Sequence, residues 1–136
     1  MFLMPVLDAC AVIAVAKQEQ GHEVVTSLFT KAINNNASLF IHQINLLEVY
    51  NYISKYHNTL AADTMSEEIK KLPITVVKDF SMKYASKFYI MHKVSIADSI
   101  ALATAQEYNA ILVTADYHDM KQIERIETLQ KFLWIR

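Results

Sequence analysis

Glycine, cysteine and proline are scarce in this chain, and each shortage removes a class of function. The one glycine, Gly21, excludes Gly-rich phosphate loops such as GxGxxG or the P-loop. The one cysteine, Cys10, excludes an internal disulfide framework and any Cys-based zinc site. With only two prolines and one glycine, long loops have few places to form, and no repeat or linker interrupts the chain. No stretch approaches the roughly 18 uncharged apolar residues of a membrane span, so no membrane association is expected. The net charge of −1 excludes a wholly basic nucleic-acid binder.

What is present begins with MFLMPVLDACAVIAVAK, the most apolar run in the protein, interrupted by Asp8. No Lys or Arg precedes the run and Asp8 divides it, so it does not read as a secretory signal. It is expected to be part of the fold, in a cytoplasmic protein. The 136 residues suit one domain spanning 1–136, able to bury roughly two-thirds of its unfolded surface. Residues 70–93 hold six lysines and one acid, a local excess of +5. Such a stretch is either a phosphate-binding patch or a solvated helix face.

Hydrophobic periodicity predicts alternating strands and helices. Strands are expected at Met4–Leu7, Ser38–His42, Ile74–Val77 and Ala110–Val113, with a fifth at Phe132–Ile135. Helices are expected at Ala9–Lys17, Glu23–Asn34, Leu46–Tyr56, Leu60–Lys71, Asp79–His92, Ile96–Tyr108 and His118–Ile123. Phe80, Tyr84 and Phe88 recur every four residues and are expected to share a core-facing stripe. Nearly all-apolar strands that alternate with helices imply an α/β fold, a parallel sheet of four to five strands covered on both faces.

Ligands of open parallel sheets bind outside the carboxyl ends of the strands. Asp8, Glu48 and Asp116 follow strand ends there, and Asp98 lies in the first turn of the helix SIADSIALATA. Each alone reads as a helix cap: Asp8 and Asp116 as caps, Asn45 with Glu48 as a cap pair, and Ser95 with Asp98 as a capping box. Together they exceed what capping explains. Two unit charges about 5 Å apart at an effective dielectric of ~20 repel by roughly 3 kcal/mol. Three such pairs approach ~10 kcal/mol, against a typical domain stability of ~5–15 kcal/mol. Such a cluster must protonate some members or bind a cation, and oxygen-only ligands suit Mg²⁺ or Mn²⁺.

VLDACAVIAV, INLLEV, SIADSIALATA and ILVTAD, in this order and spacing, make the sequence resemble a PIN domain over essentially its whole length. The resemblance implies a three-layer α/β/α sandwich and a metal-dependent endoribonuclease, typically the VapC-like toxin of a type II toxin–antitoxin pair. It makes Asp8, Glu48, Asp98 and Asp116 the catalytic acids that hold Mg²⁺ or Mn²⁺, with Thr114 orienting Asp116 or a bound water. Asp119 is a fifth acid of the site or the N3 partner of an Asp116 cap; the cap is the reading favoured here. Cys10 stands where the family commonly has Ser or Thr, and a thiol is a weaker donor to Asp8. Lys78, Lys83 and Lys87 are candidates to guide RNA past the acids, and His118 is close enough in sequence to reach them. An RNA substrate, a cognate antitoxin and a homodimer are the expected partners. The alternatives are a non-catalytic PIN-fold binding module and an RNA-maturation nuclease without antitoxin. A dehalogenase-like phosphatase is disfavoured because Cys10 replaces its second Asp, and a receiver domain because Asp8 has no acidic neighbour.

Overall fold

The computed structural model describes residues 4–127 and 130–136; Met1–Leu3 of the opening apolar run lie outside it. The strands are β1 (Pro5–Leu7), β2 (Leu39–His42), β3 (Ile74–Val77), β4 (Ile111–Thr114) and β5 (Lys131–Trp134). The helices are α1 (Ala9–Lys17), α2 (His22–Asn34), α3 (Gln43–Tyr56), α4 (Thr59–Lys70), α5 (Met82–His92), α6 (Ile96–Glu107) and α7 (Tyr117–Ile126). All strand pairs are parallel, in the order β3-β2-β1-β4-β5. The chain steps outward from β1 to β2 and β3, then returns to place β4 on the other side of β1. The edge where β1 and β4 end is therefore the topological switch point, the place where open parallel sheets bind ligands.

Successive strand residues send their side chains to opposite faces. Leu7, Ile41 and Val113 pack with α1, α2, α3 and α4. Val6, Phe40, Leu112 and Phe132 pack with α5, α6 and α7, around Phe88, Leu102, Met120 and Ile123. The result is the expected three-layer α/β/α sandwich. Seven consecutive residues of α6, Ser99–Ala105, are buried, which the small Ala and Ser side chains allow on every side of the helix. No helix among the described residues is long and apolar enough to cross a membrane.

Most boundaries fall within one residue of the sequence reading, and three helices differ by more. α3 starts at Gln43, because the His42 ring caps it: Nδ1 accepts the Ile44 N–H at 3.0 Å. Asn45 thus lies inside the first turn and is not a cap. α5 starts at Met82, where Ser81 Oγ accepts the Tyr84 N–H at 3.2 Å, so Asp79 and Phe80 precede the helix. Phe80 still packs with Tyr84 and against Ala85, Ile100 and Ala103, but from the connecting segment, and it meets the His42 ring edge-on. α7 extends in both directions, to Tyr117–Ile126.

Candidate active site

Asp8 lies at the junction of β1 and α1 and is 2% exposed. Its backbone N–H donates to Val113 O of β4 at 3.2 Å, which ties it to the switch point. Oδ1 caps α1 by accepting the Ala11 N–H at 2.9 Å. Oδ2 is buried without a hydrogen-bond partner. Burial chiefly raises the Asp8 carboxyl to about 7, and the charges of Asp98 and Asp116 add to this. The Thr114 hydroxyl and the Ala11 N–H oppose the rise, although the hydroxyl closes no hydrogen bond to Oδ2.

Asp98 enters from the first turn of α6, where its N–H donates to Ser95 Oγ at 3.0 Å, as the capping reading expected. Its carboxyl is pushed up to about 6, by burial first and then by Asp116 and Glu48. Asp116 occupies the N-cap position of α7 but makes no side-chain cap. Its N–H instead donates to Thr114 Oγ1 at 3.0 Å. Burial raises its carboxyl, and the Asp119 carboxyl reinforces the rise while the Asp119 amide eases it. Asp119 therefore acts on the cluster as a neighbouring negative charge, and the favoured cap reading does not describe it.

Glu48 projects from α3, half-buried, with Oε1 accepting from Asn45 Nδ2 at 3.0 Å. The same Nδ2 reaches Ala97 O at 3.3 Å, one residue before Asp98. Asn45 is fully buried, and it joins α3 to the start of α6. The sequence reading treated it as a cap; its place three residues before Glu48 was the available signal.

The same four acids bear on Cys10. Burial pushes its thiol up to about 12, and Asp8, Asp116, Asp98 and Glu48 each push in the same direction. Four acids from four segments thus act on one half-buried sulfur atom. A thiol held that high stays protonated and is no nucleophile near neutral pH.

Among the described residues, no group of three or more His, Cys, Asp or Glu side chains is placed to hold a metal ion. The donors nevertheless fit a hard divalent cation. They offer carboxylate oxygens only, repel one another, and include an unpartnered buried oxygen on Asp8.

The lysine-rich stretch is less free than its composition suggests. Lys70 and Lys71 pair with Glu67 and Glu68 on their own helix. Lys87 is committed to Glu127 at 2.6 Å, with its ammonium over the Phe88 ring, and His92 Nε2 lies 3.2 Å from the other Glu127 oxygen. Among the described residues, Lys78 and Lys83 are exposed and form no ion pair. His118 is also exposed, and its charge favours ionised Asp116. A groove of about 610 Å³ between α1, α3 and α4 is lined by Ile53, Leu60 and Met65 and by none of the four acids.

No curated protein matches the chain. Among solved structures it is similar to VapBC-1 from nontypeable Haemophilus influenzae, at 16% identity, with 98% of each chain covered and a TM-score of 0.71. A toxin–antitoxin complex from Klebsiella pneumoniae is similar at 17% identity, with 97% of this chain and 98% of that chain covered and a TM-score of 0.70. VapC20 from Mycobacterium tuberculosis, a sarcin-ricin loop cleaving toxin, is similar at 10% identity, with 87% and 94% covered and a TM-score of 0.64. At such identities the likeness is one of fold. The sequence itself goes further: the PIN domain model matches residues 6–126, a span that takes in all four acids, and the chain belongs to the PIN domain family.

Proposed function

We propose that this protein is a metal-dependent endoribonuclease and the toxin of a type II toxin–antitoxin pair. The observation that carries the reading is the buried Asp8 carboxylate, whose Oδ2 has no hydrogen-bond partner and which burial, with the charges of Asp98 and Asp116, holds well above the usual carboxylate range. A family of nucleases supplies the context. Among its structural neighbours, one is a toxin–antitoxin complex and another a sarcin-ricin loop cleaving toxin.

Asp8, Asp98 and Asp116 would hold a divalent ion, Mg²⁺ or Mn²⁺, with Glu48 completing the set. Such an ion supplies positive charge against the phosphate and lowers the pKa of a coordinated water. The chain's residues do the rest. Glu48, steadied by Asn45, takes the proton of the attacking water. Thr114 orients Asp116 through the Asp116 N–H. Water adds to phosphorus in line, the bond to the leaving oxygen breaks, and the proton is returned to that oxygen. The exposed Lys78 and Lys83 bring the RNA phosphates past a cleft that would otherwise repel them. A homodimer, an antitoxin that covers the acids and a cytoplasmic location belong to the same reading.

RNA incubated with Mn²⁺ or Mg²⁺ is expected to be cut, and neither EDTA-treated protein nor Asp8→Asn nor Asp98→Asn is expected to cut it. Cleavage that survives in the folded variants would reject the mechanism. Absence of Mn²⁺ binding by calorimetry would instead favour a non-catalytic binding module.

A further inference from the structure

Beside the acids the fold builds an aromatic platform that the metal chemistry does not use. Trp134, the one tryptophan, ends β5 in register with Thr114, the residue that bonds the Asp116 N–H. Its indole is fixed from three directions. Phe132 stacks on it at 4.8 Å and 2°, Tyr117 meets it edge-on at 4.9 Å and 80°, and Nε1 donates to Glu124 Oε2 at 2.9 Å. Tyr117 directly follows Asp116 and is nevertheless 47% exposed.

Packing explains Phe132, which joins the core on the α5–α6–α7 side. It does not explain Tyr117. The first turn of α7 already buries Met120, and Tyr117 is left with its ring held against Trp134 and about half in solvent. A rigid, exposed ring of this kind suits a planar apolar partner of similar size. The partner that must lie one residue from Asp116 during the proposed reaction is RNA. Unstacked bases of single-stranded RNA are commonly bound by stacking on aromatic side chains, which tolerates any sequence because every base has a π-face. Bases inside a duplex have no free face.

Resting on the nuclease reading, we infer that Tyr117, braced by Trp134, is the stacking subsite for an unpaired nucleobase next to the scissile phosphate. Trp134 is a positioning residue, held by Glu124 so that the Tyr117 ring stays presented at the acidic edge.

The sole tryptophan makes the inference measurable without a label. In EDTA, where no cleavage is expected, an unpaired octa-adenylate RNA is titrated into the protein and Trp134 emission is followed. Saturable quenching is expected, with at least tenfold weaker binding of duplex RNA. Tyr117→Leu keeps apolar cover on Trp134 but has no π-face, and should weaken octa-adenylate binding about tenfold. Tyr117→Phe should bind within about twofold of wild type. Equal binding by Tyr117→Leu, or saturation without quenching, overturns the inference. So does emission that changes with protein concentration alone, which would mean that a second copy covers the platform. Cleavage assays separate this from the underlying reading. If wild type cuts RNA with Mn²⁺ and Tyr117→Leu cuts it with unchanged KM, the subsite fails and the nuclease stands. If wild type neither binds nor cuts RNA, both fail.

Discussion

Asn45 Nδ2 donates to Glu48 Oε1 at 3.0 Å from a position with no solvent exposure at all. The amide also holds Ala97 O, while its own Oδ1 is buried without a partner. A buried, half-satisfied amide is costly to keep. Its use here is to set Glu48 on α3 relative to Asp98 on α6. Asn45→Ala should therefore lower kcat for RNA at least tenfold, because Glu48 loses the hydrogen bond that fixes its carboxylate. Its stability cost should be about 1–3 kcal/mol, for the vacated space and the unpaired Ala97 carbonyl. Cleavage rates together with thermal melts check both parts, and a wild-type kcat would remove Asn45 from the site.

The acids should make the metal-free protein less stable as pH rises. Asp8 is raised from 3.8 to about 7 in the folded state, so that state binds more protons than the unfolded chain between about pH 4 and 7. The stabilisation is complete below pH 4 and is lost as pH climbs through 7. Asp98, raised to about 6, acts in the same direction. Glu127 is lowered by its bond to Lys87 and acts oppositely, but only below its ordinary 4.5. For Asp8 the difference corresponds to about 4 kcal/mol at most.

Asp8→Asn keeps the oxygen that caps Ala11 and removes the buried charge. In EDTA at pH 7.5 this variant should melt at least about 5 °C higher than wild type, with the gap closing toward pH 4. Mn²⁺ should raise the wild-type Tm and leave that of the variant unmoved. A variant that melts lower than wild type throughout would show that Asp8 is not strained in the empty site.

These acids show what a sequence can and cannot carry. The layered fold was legible because β2 and β4 are short apolar runs, and α1 and α6 are apolar enough that only burial suits them. That Asp8 and Asp116 lie at one edge of the sheet followed from one rule, that parallel strands end on a common edge, whereas Asp98 sits in the first turn of α6 and follows no strand. The role of Asn45 was not legible. Its hydrogen bond to Ala97 spans 52 residues, and the usual signals for a polar residue early in a helix point to a cap. His42 was missed for the complementary reason, since an imidazole is not among the usual capping groups. Lys87 looked free because its partner, Glu127, lies 40 residues away at the end of α7. The Tyr117–Trp134 contact needed the β4–β5 register, which no local pattern specifies.

Cys10 should be chemically silent in the folded protein. With its thiol near 12, under one in a thousand molecules is ionised at pH 8, on the order of the ratio that each pH unit multiplies tenfold. Iodoacetamide at pH 8 should label native protein far more slowly than urea-unfolded protein. Replacing the thiol with a hydroxyl, Cys10→Ser, should preserve the fold and raise cleavage a few-fold if the hydroxyl donates to the unpartnered Asp8 Oδ2. Rapid native labelling would contradict the burial and charge that surround the sulfur.

Gly21 tests how the C-terminal end is secured. It starts α2 at φ +96°, a conformation that disfavours any Cβ. A Cβ there would sit 2.2 Å from the Ile135 carbonyl oxygen, too close for either backbone to keep its place. Ile135 follows β5, and its N–H is bonded to Thr114 O at 3.1 Å, so displacing it pulls on the strand end that carries Trp134. Gly21→Ala should cost about 2–4 kcal/mol, from the unfavourable φ and the overpacking together. It should also shift Trp134 emission in the native state, although Gly21 is in a different layer of the fold. A variant with wild-type stability and emission would mean that the α1–α2 turn can rearrange freely, and that Ile135 is not held by it.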